Sequence, residues 1–176
     1  MERVDKLIAF LKELRIKPEV DDFESKLVIQ KSVCLLELMG AKLGYGYSLY
    51  VRGPYSAELT KELYDKKDEI QTLKGSCPLT EKEKNMAKEI SEQSDALEPA
   101  LLEIIATYSY LARQMEMSPS DATIKLKKLK PFYSEAQIAV GVNRAKILFP
   151  PSQKEVEEMK KEFSDWARAS GTELDF

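Results

Sequence analysis

The chain has 176 residues, of which 43% are hydrophobic and 32% are charged, which predicts a soluble globule of one domain or two small ones. It contains no histidine, which excludes Ser-His and Cys-His nucleophiles and histidine-bound metals. The formal net charge is −3 with acids and bases interleaved, which excludes a global basic field for nucleic acid.

Two helices are predicted at the start of the chain. Apolar residues recur at steps of three and four from Val4 to Leu14, which is typical of an amphipathic helix that ends before Lys17-Pro18. Residues 23–39 are apolar almost all round and are followed by Gly40, which predicts a central buried helix. The first helix is expected to pack on the core.

The most informative segment joins a Tyr/Gly-rich strand to a helix. Residues 44–51 alternate in a period of two, which predicts a short strand, and a helix is predicted from about residue 55 to 66. Gly53 can take a positive φ and Pro54 favours a first helical turn, so the first amides would face outward and suit an anion or a partner's carboxylate. The candidate partner-binding residues are Tyr50, Arg52, Gly53, Pro54, Tyr55 and Ser56.

This segment has a second interpretation, in which it is a strand-to-helix turn without a ligand. In that case alternate tyrosines line the core and place their hydroxyls at its rim. Exposure is expected for Tyr50 or Tyr55.

The element order indicates the fold class. Residues 70–79 include Gly75 and Pro78 and fit a small hairpin or a loop before a capping box at Thr80…Glu83. Helix, strand, helix, hairpin and helix is an order that resembles a winged helix. Helix-start signals at residues 95–98, 118–121, 134–137 and 152–155 predict four further helices. We expect a mainly α protein with a small β-hairpin, in which a winged-helix-like N-terminal half, residues 1–94, precedes a C-terminal helical half, residues 95–176, or both halves form one continuous domain.

Two polar patterns have both a functional and a structural interpretation. The order Glu19…Glu24-Ser25-Lys26 is similar to that of metal-dependent nucleases, but the acids are too close in sequence for that chemistry. A run of basic residues makes either nonspecific phosphate contacts or a solvated helix face, and it comprises Lys125, Lys127, Lys128, Lys130, Arg144 and Lys146.

Two further features concern apolar and sulfur-containing side chains. An apolar stripe at three-four-three spacing docks on its own domain or forms a homodimer with a second copy, through Val156, Met159, Phe163 and Trp166. Cys34 and Cys77 lack zinc-site spacing and are expected to be reduced thiols.

Two segments resemble a known family. Residues 26–31, Lys-Leu-Val-Ile-Gln-Lys, begin an apolar helix, and residues 50–56, Tyr-Val-Arg-Gly-Pro-Tyr-Ser, precede Leu59 and Leu63. This pattern resembles that of the uncharacterised YwgA-like proteins, and the turn is similar to that of the Panacea (SocA-like) domain of antitoxins and proteolytic adaptors. The resemblance covers roughly residues 23–149. It implies a mostly helical, non-catalytic regulatory or adaptor protein, with Gln30 and Lys31 on a secondary surface.

We expect a cytoplasmic regulatory or adaptor protein that binds a partner protein. The resemblance to the antitoxin domain implies an antitoxin-like function as a narrower form of this expectation. Residues 1–15 are unlike a signal peptide, and no apolar run is long enough to cross a bilayer, so no membrane association is expected. No cofactor or metal is expected. The alternative is a winged-helix transcriptional regulator that binds DNA. A third class, a Mg²⁺-dependent enzyme, lacks an acidic cluster with ligand spacing.

Overall fold

A computed structural model describes residues 3–75 and 77–171 as a helical body with one antiparallel β-hairpin. In chain order, the elements are α1 (Arg3–Glu13), α2 (Phe23–Leu38), β1 (Ser48–Tyr50), β2 (Gly53–Tyr55), α3 (Ala57–Asp65), α4 (Lys67–Gln71), α5 (Glu81–Gln93), α6 (Pro99–Ser109), a π-helical turn (Tyr110–Gln114), α7 (Pro119–Leu129), α8 (Glu135–Leu148) and α9 (Gln153–Ser170). The expected mainly α fold with a small β-hairpin is confirmed. Within the described ranges, no helix is long and apolar enough to cross a membrane.

Short-range capping signals fix several helix starts. The predicted starts of α5, α8 and α9 are confirmed by complete capping boxes, at Thr80/Glu83, Ser134/Gln137 and Ser152/Glu155. In each box the first side chain accepts a hydrogen bond from the amide three residues later, and the second side chain accepts one in return. The predicted cap of α7 is also confirmed, because the Ser118 side chain accepts a hydrogen bond from the Asp121 amide.

The junction between α5 and α6 is a left-handed turn rather than a helix start. Residues 95–97 have φ values of 50°, 58° and 67°, a conformation that costs about 1–2 kcal/mol for each residue with a Cβ. The buried Ser94 hydroxyl holds this turn by accepting a hydrogen bond from the Leu97 amide. Helix α6 begins only at Pro99, where the Glu98 carboxylate caps two first-turn amides.

Helix α6 is the centre of the core and packs against both α2 and α8. All residues from 101 to 109 are buried. Helix α2, which the sequence predicts as a buried helix, contributes Ile29, Val33 and Leu36 to the same core. The buried cluster is continuous across residues 94–95, the predicted boundary, so the two halves share one apolar core.

The hairpin lies at a different position from the one the sequence predicts. Strand β1 falls within the predicted strand, but its partner β2 contains Pro54, which the sequence places in a helical turn. Gly53 has a φ of 91° and pairs with Tyr50, so the chain reverses immediately after β1. Residues 70–79 contain the end of α4 and a loop, with no strand among the described residues. The winged-helix resemblance stays a prediction.

The apolar stripe of α9 is mostly exposed. Met159, Phe163 and Trp166 are 54%, 48% and 61% exposed, whereas Val156 is half-buried. Docking of the stripe on its own domain is therefore only partial, because the rest of the described chain leaves about half of each of these three side chains accessible. Pairing with a second copy through this stripe stays a prediction.

The close approach of α6 and α8 depends on Gly141. A Cβ at this position would lie 2.2 Å from Cγ2 and 2.8 Å from Cβ of Ile104, which is shorter than any ordinary carbon–carbon contact. The Ile104 side chain is fixed in the core at 1% exposure. The two helices must therefore move apart to accept any larger residue here.

We predict that Gly141→Ala lowers the free energy of unfolding by about 2–3 kcal/mol, despite the higher helix propensity of alanine. Urea denaturation measures the change. Gly46→Ala is the matched control, because a Cβ at Gly46 meets no atom within 4 Å, and we expect it to change stability by less than about 0.5 kcal/mol. Equal stability of Gly141→Ala and wild type would contradict this account of the α6–α8 contact.

Candidate functional site

The hairpin rests on α6 at a position that only glycine can occupy. The register pairs Ser48 with Tyr55, Leu49 with Pro54 and Tyr50 with Gly53. A Cβ on Gly53 would lie 2.2 Å from Oγ1 of Thr107, a fully buried residue of α6. Together with its positive φ, this approach makes any side chain at Gly53 incompatible with the observed packing.

Two buried polar side chains of α2 bind the backbone of the hairpin. The Lys31 Nζ donates a hydrogen bond of 2.8 Å to the Pro54 carbonyl oxygen. The Gln30 side-chain amide donates to the Ser56 carbonyl at 2.9 Å and accepts from the Ser56 amide at 2.9 Å. The predicted secondary surface at Gln30 and Lys31 is wrong, because these residues are only 4% and 2% exposed.

A buried ion pair holds the other end of the turn. Lys130, which follows α7, is 1% exposed and pairs with the Glu103 carboxylate of α6, which is also 1% exposed. The Lys130 Nζ also donates a hydrogen bond of 3.0 Å to the Val51 carbonyl oxygen. The second Glu103 oxygen lies 3.4 Å from Nη1 of Arg52. Glu103 therefore links the hairpin to α6 through two cations.

The sequence analysis does not find Glu103, and it counts Lys130 in a run of surface lysines. Glu103 lies inside an apolar helix. An acid in such a position indicates a buried carboxylate, which needs a partner of opposite charge. For Lys130 the signal is its position immediately before Pro131, at the end of a helix. Neither signal identifies the partner.

The low polarity around this ionic cluster changes the pKa values of its members. Burial lowers the pKa of Lys31 to about 8, and the nearby Glu103 carboxylate opposes that change. Burial also lowers the pKa of Lys130, again against the effect of Glu103. For Tyr133, burial and the Glu103 carboxylate raise the pKa to about 12. These directions follow from the burial of Lys31, Lys130 and Glu103, which are 2%, 1% and 1% exposed.

An aromatic surface surrounds Arg52 on the outside of the hairpin. The guanidinium carbon of Arg52 lies 5.4 Å from the centroid of the Phe23 ring and 6.0 Å from that of Phe132, within the range of cation–π attraction. The side chain of Arg52 is 50% exposed. We call this the hairpin surface and define it as Phe23, Tyr50, Val51, Arg52, Tyr55 and Phe132.

The apolar members of the hairpin surface are unusually accessible. Phe23, Tyr50, Val51 and Phe132 are 59%, 55%, 78% and 57% exposed. Tyr55 is half-buried, and its ring meets that of Tyr50 edge to face at a centroid distance of 5.3 Å. Exposed apolar groups that gather around one arginine are typical of an interaction surface.

The predicted site is only partly accessible. Tyr50 and Arg52 are exposed, but Gly53, Pro54 and Ser56 are buried. Two of the amides expected to bind an anion are already occupied, because the Ser56 amide is bound to Gln30 and the Ser56 hydroxyl caps the Leu59 amide. Sequence reasoning also missed Phe23, Val51 and Phe132. The sequence signal for their exposure is the position of each large apolar residue: Phe23 at a helix start, Val51 in a turn and Phe132 beside a proline.

The predicted phosphate-contact residues lie elsewhere on α7 and α8. Lys125, Lys128 and Lys146 are exposed. Two other members pair with acids of the same chain. Lys127 lies 3.3 Å from a Glu135 oxygen, and Arg144 lies 3.5 Å from one of Asp95. These pairs reduce the positive charge that the group presents to a phosphate.

A cleft of about 590 Å³ lies between α2 and the π-helical turn, and no residue of the hairpin surface lines it. Cys34 lines this cleft, and burial raises the pKa of its thiol to about 12. Burial also raises the pKa of Tyr47, which lines the same cleft. These groups are therefore uncharged near neutral pH. Over residues 3–75 and 77–171, no three cysteine or acidic side chains are grouped so that they could hold a metal ion.

Comparison of the chain with protein-family models, with curated proteins and with solved structures gives no match. The resemblance to YwgA-like proteins and to the Panacea domain therefore stays a prediction from the sequence. The argument for function depends on the hairpin surface and the ionic cluster beneath it.

We predict that Lys31 makes stability rise with pH in a defined range. Lys31 loses its proton at about pH 8 in the folded protein instead of its usual 10.5. Its charge therefore disfavours folding below pH 8, and this penalty fades as pH rises from 8 to 10.5. The free energy of unfolding of wild type should rise over this range, relative to that of Lys31→Met, by on the order of 2–3 kcal/mol.

Denaturant titrations at closely spaced pH values measure this difference. The comparison with Lys31→Met removes the opposing contribution of tyrosines that ionise at high pH. Lys125→Met, at an exposed position of α7, is the matched control for the loss of one lysine charge. A difference between wild type and Lys31→Met that stays constant from pH 7 to 10 would refute the assignment.

Proposed function

We propose that this protein is a non-catalytic regulatory or adaptor protein that binds a partner protein through the hairpin surface. The observation that carries the proposal is the position of Arg52, half exposed and within about 6 Å of two exposed phenylalanine rings. Arginine and aromatic residues dominate the binding energy of protein interfaces. Tyr50 and Val51 extend the same accessible surface along the turn.

The rigidity of the turn favours binding. Lys31 and Lys130 bind the hairpin backbone from its buried side. Lys31 donates to the Pro54 carbonyl oxygen and Lys130 to the Val51 carbonyl oxygen. A turn that is fixed before the partner arrives loses little conformational entropy on binding. The buried charges therefore contribute to function by holding the exposed residues in one geometry.

The chemistry of the remaining candidate residues supports a non-catalytic function. The Cys34 thiol is uncharged near neutral pH, since burial raises its pKa to about 12. In the sequence that is similar to a nuclease pattern, the Lys26 Nζ donates a hydrogen bond of 2.8 Å to the Tyr64 hydroxyl. Its ammonium group therefore has a structural contact within the chain.

DNA binding by a winged-helix regulator is the alternative proposal, and the exposed lysines of α7 are the observation that favours it. Lys127 and Arg144 already have acidic partners. Protein binding therefore accounts better for the accessible residues, which are mostly aromatic or aliphatic around Arg52. An antitoxin-like function is a narrower form of the same proposal and depends on the family resemblance alone.

We predict that Arg52→Glu and Phe132→Ala each reduce partner capture by at least about tenfold, because each change removes a central contact of the hairpin surface. Purified variants are immobilised, incubated with native lysate, and the captured proteins are quantified by mass spectrometry. Lys128→Glu is the matched control, since it reverses an exposed charge outside this surface. Far-ultraviolet circular dichroism tests whether the variants remain folded.

One outcome of this experiment would contradict the proposal, and another would support it. If every protein captured by wild type is captured equally by folded Arg52→Glu and Phe132→Ala, the hairpin surface does not bind the partner. A protein that both variants lose and Lys128→Glu retains is the partner that the proposal requires.

A further inference from the structure

The charges beneath the hairpin do not balance. Lys130 and Arg52 both contact the Glu103 carboxylate, and Lys31 lies close enough to all three charges for its pKa to respond to them. Among the described residues, this cluster therefore contains three cations and one carboxylate, and two of the cations contact it. Positive charge without a partner in a place of low polarity is unfavourable. An additional anion at this place would meet a net positive charge.

Only one of the three cations can meet an anion from outside. The side chain of Lys130 is fully buried, and Lys31 is 2% exposed. The side chain of Arg52 is 50% exposed, and its contact with Glu103 is a single one of 3.4 Å, from Nη1. A guanidinium group has five N–H donors in a planar fork that fits the two oxygens of a carboxylate.

The exposed apolar side chains around Arg52 indicate that the ligand also carries apolar groups. Phe23, Phe132, Tyr50 and Val51 are all more than half exposed around it. Groups that cover these side chains would exclude water from Arg52 and strengthen its attraction for an anion. The ligand is therefore expected to place apolar side chains on both sides of its charge.

From these observations, and resting on the proposed function, we infer that the partner presents a linear peptide segment in which an Asp or Glu carboxylate flanked by apolar residues binds Arg52. The carboxylate accepts hydrogen bonds from N–H groups of the guanidinium, beside the Phe23 and Phe132 rings. The flanking apolar side chains cover these rings and the turn at Tyr50 and Val51. Glu103 remains paired with Lys130.

A single peptide carboxylate fits this site better than the phosphates of a nucleic acid. Nucleic acids are bound through several accessible cations in a row. Around Arg52 the other cations of the cluster are buried, and its ring contacts are with the exposed Phe23 and Phe132. One exposed cation within an apolar surface is the complement of one acid within an apolar sequence.

A phage-displayed library of random dodecapeptides tests this inference on the full-length protein. Wild type, Arg52→Gln and the double variant Phe23→Ala/Phe132→Ala are panned in parallel. Wild type should select peptides in which Asp or Glu lies next to Leu, Ile, Phe or Trp, at a frequency above that of the input library. Arg52→Gln should lose the enrichment of Asp and Glu but keep that of apolar residues.

The best selected peptide is then synthesised with its acid and with the matching amide. The acidic peptide should bind wild type at least about tenfold more tightly than Arg52→Gln, which corresponds to about 1.4 kcal/mol. The amide peptide should bind the two proteins equally. Lys128→Gln, which removes an exposed charge elsewhere, should bind like wild type.

The outcomes separate the inference from the proposed function. If wild type selects apolar peptides without acidic enrichment, or if Arg52→Gln binds the acidic peptide as tightly as wild type does, the inference is overturned and the proposed function stands. If wild type selects nothing beyond what the double variant selects, the hairpin surface is not a peptide-binding site and the inference is overturned, whereas the proposed function is decided separately by the capture of a partner from lysate.

Discussion

The position of the hairpin depends on one buried carboxylate, that of Glu103. Its ion pair with Lys130 places a cation against the Val51 carbonyl oxygen, and its second oxygen faces Arg52. Removing one partner of a buried pair costs about 3–5 kcal/mol, because the other charge is left without compensation. Lys130 would be left in this state, and Lys31 would lose the nearby carboxylate that favours its charge. Glu103 therefore determines whether the ammonium groups that hold the turn can remain charged inside the protein.

The buried and the exposed residues of the hairpin have different functions. Gly53, Pro54 and Ser56 face the core and hold the backbone, whereas Tyr50, Val51 and Arg52 face solvent. The exposed residues have a fixed geometry because their own backbone is bound to buried side chains. A preorganised surface of this kind favours recognition of a partner, since the entropy cost of ordering is met during folding. The fold and the proposed binding function thus depend on the same cluster.

The sequence predicts what depends on near neighbours. The capping boxes at Thr80, Ser134 and Ser152 need residues only three positions apart, and each is confirmed. The sequence misplaces the hairpin because Gly53-Pro54 fits a helix start locally, and the contacts that favour the hairpin come from distant residues such as Lys31 and Thr107. Lys130 resembles its exposed neighbours in sequence, although Glu103 is its partner 27 residues away. Burial and long-range pairing are properties of the whole fold and are not visible in a short segment.

The most direct test of the account is hydrogen exchange of backbone amides in wild type and Glu103→Gln, which keeps the shape of the side chain but removes its charge. If Glu103 positions the hairpin, amides of residues 48–56 should exchange at least about tenfold faster in the variant, while those of α1 and α5 change little. Hairpin exchange that is unchanged, or that accelerates only as much as the rest of the chain does, would contradict the central claim.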